Sequence, residues 1–493
     1  MSEAAIALSI VAVVVVAVMA LASLGARGIL MDPEQYIVGG RSFGVLFLWL
    51  LTAGEVYTTF TFLGASGWAY GKGAPAFYIL CYGPLAYIIS YFLQPPIWRV
   101  AKRFGLLTGP DFFAQRYQSR ALGVIVALTG FVFLIPYVTL QLTGLEILLG
   151  IAGYGHVGTL LAVQIAFLLT AIFVYTSGLR GLAWASVAKD LLVLAAVGFI
   201  GIVVPLHFFR SPGDLVSHVV AAHPQWMTLI GGGSAYGTRW FVTTVLLTAV
   251  GFMVWPQAMA NAYAAKSDEA LRRNAIFMPV YNVMLVLVIL GGFTALAIAP
   301  GLHGAAADRA TMLLVQGHYP AWVLGSVAAA GCLAALIPVS SQLLAAASVV
   351  SKNVLGDWLN IATNDRARTF ATRLLVLIVA ILALWFWERE QTTIVDLLLL
   401  AYNGVAQFFP GTVLAFAWKR TTALGVGSGI VAGLLVLILL SRLELATLDG
   451  VNVGLVALVV NCMVCIAVSC ISRPPGSEHV ATFVSAAQEQ RSS

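Results

Sequence analysis

One carboxylate stands in the middle of a long run that otherwise carries no charge. Residues 50–70 read LLTAGEVYTTFTFLGASGWAY, with Glu55 beside Gly54 and close to Thr52. At about 1.5 Å rise per residue, Glu55 is far from either end of such a run. A charged side chain deep in an apolar run is costly and therefore a functional candidate by default. A carboxyl group there could take up and release a proton or hold a cation. The bland alternative is a protonated or paired glutamate that only ties helices together. Asp190 and Lys189 fall early in their own run, close to its lysine- and arginine-rich end. Asp190 there reads equally as part of a cation path and as half of an interfacial ion pair. Glu146 and Asp396 lie near run ends, where reaching water is cheap, and read as structural.

A second set of candidates is neutral. Tyr57, Thr58, Thr59, Thr61, Tyr137, Gln141, Gln257, Ser340, Ser341, Gln342, Asn403 and Gln407 all fall inside apolar runs. Each alone reads more simply as an interhelical hydrogen bond. Their concentration on runs interrupted by glycine and proline makes the group a candidate solute and cation site. Trp255 and the Phe408/Phe409 pair either wall a pocket or pack between helices.

Several chemistries find no support. The chain has no Walker A, HExxH, GxSxG or dinucleotide-binding pattern, so ATP-driven transport and redox chemistry have no local basis. Cys81, Cys332, Cys462, Cys465 and Cys470 all lie in apolar runs and read as small hydrophobes without a disulfide. Cys462 and Cys465 form a CxxC with no second pair, so no metal beyond a coupling Na⁺ and no cofactor is expected. The net charge of +6 comes from Lys and Arg dispersed through short loops, which argues against a nucleic-acid partner.

The elements that position these residues are membrane spans. The chain is 60% hydrophobic and only 9% charged, with a mean hydropathy of +0.95, far from a soluble composition. Apolar runs lie near 4–24, 43–69, 74–94, 121–150, 158–177, 182–208, 239–262, 272–299, 321–352, 370–388, 391–417, 424–441 and 450–472. The expected class is an all-α polytopic membrane protein of about thirteen transmembrane helices. The first run lacks a basic leader and reads as a retained helix. Nineteen Lys and Arg residues fall in the loops of one side and six in those of the other. By the positive-inside rule the N-terminus is then outside and the C-terminus cytoplasmic, in a bacterial inner membrane with lipid as the partner. Residues 473–493 read as a disordered tail.

Prolines interrupt two further runs, VGFMVWPQAMAN (250–261, Pro256) and GCLAALIPVSSQ (331–342, Pro338). Proline removes a backbone donor, so such helices persist in a membrane only where protein or a water-lined cavity surrounds them. Broken helices near the midplane point to a transporter's binding site.

Together GRSFG (40–44), FLGASGWAYGKGAPAF (62–77), RFGLLTGPDFFAQRYQSR (103–120), GLRGLAWASVAKD (178–190), WPQAMANAYAAKSDEALRRNA (255–275) and SSQLLAAASVVSKNVL (340–355) resemble the sodium:solute symporter family. The likeness covers about 38–430. GEVYTTFTFLG with IPVSSQ looks most like its bacterial monocarboxylate branch. The resemblance implies a five-plus-five inverted-repeat core of the leucine-transporter type, with repeats at about 43–208 and 239–417. Residues 1–37 would add an extra N-terminal helix and 431–472 peripheral helices. It also implies a sodium site using carbonyls that match Gly54 and Tyr57, plus a hydroxyl pair. Anchored on Gln342, that pair falls on Ile337 and Pro338, which have no side-chain oxygen, while Ser340 and Ser341 lie off register. Asp190 matches an aspartate near the family's cation exit, and Gln141 a polar position on the third core helix.

The reading preferred from sequence is therefore proton-coupled symport of a monocarboxylate such as lactate or pyruvate through Glu55. The alternative is Na⁺-coupled uptake of an amino acid or vitamin of the proline or pantothenate type. A membrane sensor is the reading from outside transport.

Overall fold

The computed structural model describes residues 2–25, 32–156, 158–229, 236–361, 364–389, 392–443 and 445–488. Arg27 and Arg491, two of the loop charges counted above, lie outside the described residues.

Backbone groups in lipid must be satisfied within the segment, so the apolar runs fold as helices. They are α1 (Glu3–Gly25), α2 (Val45–Val56), α3 (Phe60–Lys72), α4 (Tyr78–Phe104), the short loop helix α5 (Gly109–Tyr117), α6 (Arg120–Ala152), α7 (Leu160–Tyr175) and α8 (Gly178–Phe208). After a loop follow α9 (Thr238–Phe252), α10 (Pro256–Ala264), α11 (Asp268–Ile298), α12 (Ala321–Gly356), α13 (Asp365–Trp387), α14 (Ile394–Ala417), α15 (Ala423–Arg442), α16 (Val453–Ile471) and α17 (Ser477–Gln488). Polar residues at run boundaries start many of them. Ser119, Ser267, Asn364, Thr393 and Thr422 each accept a backbone N–H of the first turn of α6, α11, α13, α14 and α15.

Among the described residues ten helices are long and apolar enough to cross a membrane. Two bent pairs, α2 with α3 at 50° and α9 with α10 at 46°, bring the number to twelve. The thirteenth expected span is α7, which is apolar but shorter than the rest. It is continuous with α8 through a kink at Gly178, whose φ of 58° lies in the left-handed region that glycine tolerates. The chain is thus an all-α integral membrane protein with membrane lipid as its surroundings. A two-residue hairpin, Thr447–Leu448 with Val451–Asn452, is the strand pairing between α15 and α16.

Two expectations need correction. Pro338 does not break its helix: α12 runs on through it, and most of that span is buried by neighbouring protein. One missing backbone donor is tolerated there because Ala, Gly and Ser let other helices pack closely around it. The expected disordered tail contains α17 instead. Val480, Phe483, Ala486 and Ala487 bury one face of it. Phe483 meets Phe104, Phe112 and Phe416, and Arg99 donates to the Ala487 carbonyl at 2.6 Å.

On the lysine- and arginine-rich side, α5 is fastened to the end of α12. Asp111 accepts from the amides of Leu107 and Thr108, from Asn353 at 2.6 Å and from Lys352 at 2.6 Å. Burial alone would raise the Asp111 carboxyl, but Lys352 and these donors outweigh it and hold it below the usual aspartate value. A lowered folded pKa contributes stability that is present above the unfolded value of about 4 and is lost as pH falls through the folded one. Asp111→Asn is expected to cost about 2 kcal/mol near neutral pH, less than a fully isolated pair because Lys352 keeps Asp357. Melting of the detergent-solubilised protein checks it: wild type and variant should converge on acidification.

Candidate functional site

The first break begins where α2 stops. Thr58 turns its amide to the Val56 carbonyl at 3.2 Å and to Thr61 Oγ1 at 2.9 Å. Thr58 Oγ1 accepts from the Phe60 amide, and Thr61 Oγ1 donates to the Thr58 carbonyl. These two threonines therefore supply the partners that the interrupted backbone has lost. Thr59 pins the break to α6, donating from Oγ1 to Gln141 Oε1 at 2.7 Å. Gly144 permits that contact, since a Cβ there would lie 2.3 Å from Thr59 Cγ2.

Lys189 reaches the same break from α8. Its Nζ donates to the Gly54 carbonyl at 2.9 Å and the Tyr57 carbonyl at 3.3 Å. It also lies 2.8 Å from one Asp190 oxygen, an ion-pair contact, and its side chain is 0% exposed. Lys189 and Asp190 are both buried and Lys189 lies against the first break, so of the two readings of Asp190 the interfacial ion pair is the one corrected.

The second break lies between Phe252 and Pro256, and it borders a cavity that also reaches the last turns of α2, just before the first break. Thr52 and Glu55 come from α2; Met253, Trp255, Gln257, Ala258 and Asn261 come from the second break and α10. Around them stand Tyr87, Gln94, Tyr137, Phe252, Asn274 and Tyr402. Trp255 forms the centre of the aromatic wall, 4.9 Å from Tyr137 and 5.3 Å from Tyr402 between ring centroids. Trp255 also precedes α10 without capping it by its side chain, so the first N–H groups of α10 have no side-chain partner there.

Several polar atoms at this place are buried without a hydrogen-bond partner among the described residues. They include Glu55 Oε2, Trp255 Nε1, Gln257 Oε1, Asn261 Oδ1, Ser341 Oγ and both ends of the Gln342 amide. Unpaired buried polar atoms are rare and costly, and a cluster of them marks where a ligand or ion completes the set. Among the described residues no Lys or Arg lines the cavity. A second, narrower space lined by Leu107, Thr108, Ser341 and Ser348 continues toward the lysine- and arginine-rich side. Gln257 and Asn261 border both spaces and so form the partition between them.

Of the residues expected from sequence, Glu55, Tyr137, Trp255 and Gln257 come together on this cavity, with Ser341 beside Glu55. Thr58, Thr59, Thr61 and Gln141 build the break instead of lining the cavity. Tyr57 donates its hydroxyl to the Tyr281 carbonyl, and Ser340 donates back to Leu336 in its own helix. Asn403 and Gln407 face away: Gln407 bonds Asn461 on α16 and the Gly454 carbonyl, and Asn403 abuts Gly454. A helix exposes neighbours to different faces, so Tyr402 meets the cavity where Asn403 cannot. Tyr87, Gln94, Asn261, Asn274 and Tyr402 were not anticipated. Helical spacing carries part of that signal: Asn261 is four residues after Gln257, and Gln94 seven after Tyr87.

Comparison with known proteins agrees with this architecture. A model described as the sodium:solute symporter family matches residues 36–433. The chain is 40% identical over 454 residues to an uncharacterized symporter, YhjB, of Bacillus subtilis, covering 90% of this chain and 92% of that one. It is 27% identical to a monocarboxylate transport permease of Rhizobium johnstonii, covering 80% of each. It is 26% identical to a sodium/proline symporter of Staphylococcus aureus, covering 82% of this chain and 80% of that one. A solved Na⁺-coupled sialic acid symporter superposes with a TM-score of 0.76 at 14% identity, covering 95% of this chain and 98% of that one, and so shares the fold.

Proposed function

The chain belongs to the sodium:solute symporter family and is a cation-coupled secondary transporter of a small solute, not an enzyme, and on that premise we propose that the solute is a zwitterion of amino-acid type. The observation that carries this is the pairing of opposite polarities in one cavity. Glu55 supplies a carboxylate with an unpartnered oxygen, amid the rings of Tyr87, Tyr137, Trp255 and Tyr402. An ammonium group is attracted both to the carboxylate and to aromatic faces. The N-terminus of α10, beginning at Pro256, offers N–H groups and the positive end of a helix dipole to a carboxylate. A monocarboxylate would meet Glu55 with no cation beside it in the lining.

This makes the Na⁺-coupled amino-acid alternative the better supported one, ahead of the proton-coupled monocarboxylate reading. The sodium/proline relative supports the same choice of ion and solute class, while the monocarboxylate permease is what favours the second reading. Gln257 and Asn261 then act as the inner gate, since they separate the solute cavity from the space leading inward. The reading includes α7 as a thirteenth span, two five-helix repeats each opening with a bent pair, and a cytoplasmic C-terminus in a bacterial inner membrane.

Labelled L-proline and labelled pyruvate, offered to proteoliposomes under a Na⁺ gradient and a pH gradient imposed separately, test the proposal. Proline uptake driven by sodium, with pyruvate at least tenfold slower, is expected. Pyruvate uptake driven by the pH gradient alone would restore the monocarboxylate reading.

A further inference from the structure

Lys189 does not line the solute cavity, yet it is fully buried and its ammonium is held at one place by two hydrogen bonds and an ion pair. In an unbroken α2 the Thr58 amide would bond the Gly54 carbonyl; here it turns to Val56 and Thr61. The Gly54 and Tyr57 carbonyls are left at the C-terminal, negative end of a helix inside the membrane, where a cation is stabilising. The Lys189 ammonium meets both, at 2.9 and 3.3 Å, and takes Asp190 as its third contact at 2.8 Å. Ser186 Oγ lies at the edge of the same space, within 3.1 Å of where a Gly54 Cβ would stand.

We propose that Lys189 is a tethered cation, whose ammonium fills at the first helix break a place built for a free monovalent ion and keeps sodium from binding there. The ammonium is covalently part of α8, so the break stays tied to α8 without an ion that can dissociate. A sodium ion that drives transport must therefore use oxygens other than the Gly54 and Tyr57 carbonyls. Removing the lysine side chain leaves the Asp190 carboxylate buried without its counter-charge, next to two carbonyls and a hydroxyl. Such a buried charge demands a new partner, and a small monovalent cation fits that oxygen set.

The inference rests on the transporter reading only for its bearing on coupling, so its test reads binding. Purified full-length protein in detergent is melted in NaCl and in choline chloride at equal ionic strength, as wild type and as Lys189→Ala. Lys189→Ala is expected to gain a saturable sodium-dependent rise of about 2 °C or more beyond any that wild type shows. Recovery of the variant from sodium buffer but not from choline is the same result in stronger form. Equal sodium responses in the two proteins would overturn the proposal. If Lys189→Ala is recovered from neither salt, Lys189→Ser, which keeps an oxygen, replaces it, and a serine variant blind to sodium overturns the proposal as well. L-Proline uptake by the same preparations is read separately: its absence in wild type counts against the solute assignment and leaves the melting result to decide the role of Lys189.

Discussion

Glu55→Gln is expected to lower uptake of a zwitterionic solute by about 100-fold, which corresponds to nearly 3 kcal/mol at about 1.4 kcal/mol per decade. The substitution keeps the shape of the side chain and removes the only acidic group lining the cavity among the described residues. The loss falls on the solute's ammonium, which would then meet an amide dipole and aromatic faces alone. Most of it is therefore expected in KM, with the protein still monodisperse in detergent. A solute lacking the ammonium, such as pyruvate, should lose little or gain. Initial rates in proteoliposomes across a concentration series separate these outcomes. An equal loss for both solutes would place Glu55 in cation coupling instead of solute recognition.

Gly144→Ala is expected to be a strongly damaging single-methyl change beside the first break. The new Cβ would sit 2.3 Å from Thr59 Cγ2 and 2.4 Å from Thr59 Cβ, atoms held close to the backbone and unable to swing clear. Thr59 must then give up its bond to Gln141, and the break loses its tie to α6. Overpacking of this kind costs about 1–3 kcal/mol, before the lost hydrogen bond of about 1 kcal/mol is added. Gly317→Ala, where nothing lies within 4 Å of the added carbon, serves as the control and should be silent. Melting temperatures of the two variants, and uptake by whatever survives of Gly144→Ala, measure the difference.

The membrane character and most of the spans are legible in the chain because hydropathy is summed over many residues, and each span declares itself independently. The break at Pro256 is legible for a related reason: proline and a following polar cluster lie where a continuous helix would need a donor. Pro338 carries the same local signal and yet does not interrupt α12, since dense small residues around it decide the outcome. Local rules do not see that packing.

The site was harder to read because type and depth identify a candidate while the face it presents depends on neighbouring helices. Glu55, Tyr137, Trp255 and Gln257 present the face that lines the cavity, and Asn403 and Gln407 do not, although all are polar or aromatic residues at mid-span. The threonines after Tyr57 lie outside the cavity lining: Thr58 and Thr61 bond the interrupted backbone, and Thr59 bonds Gln141. From the sequence Lys189 is seen only as the neighbour of Asp190. Its role becomes visible only when the carbonyls of Gly54 and Tyr57, more than 130 residues earlier, are brought to it.

The central claim, that solute binds in the cavity between the two helix breaks, is tested most directly by protection of a single cysteine. Ala258→Cys, in a chain whose five native cysteines are replaced, places a thiol on the lining beside Gln257. Saturating L-proline is predicted to slow its reaction with a small methanethiosulfonate reagent at least tenfold, and Glu55→Gln in the same background should abolish that protection. An unchanged reaction rate in a protein that still takes up proline would contradict the account, because the solute would then be binding somewhere else.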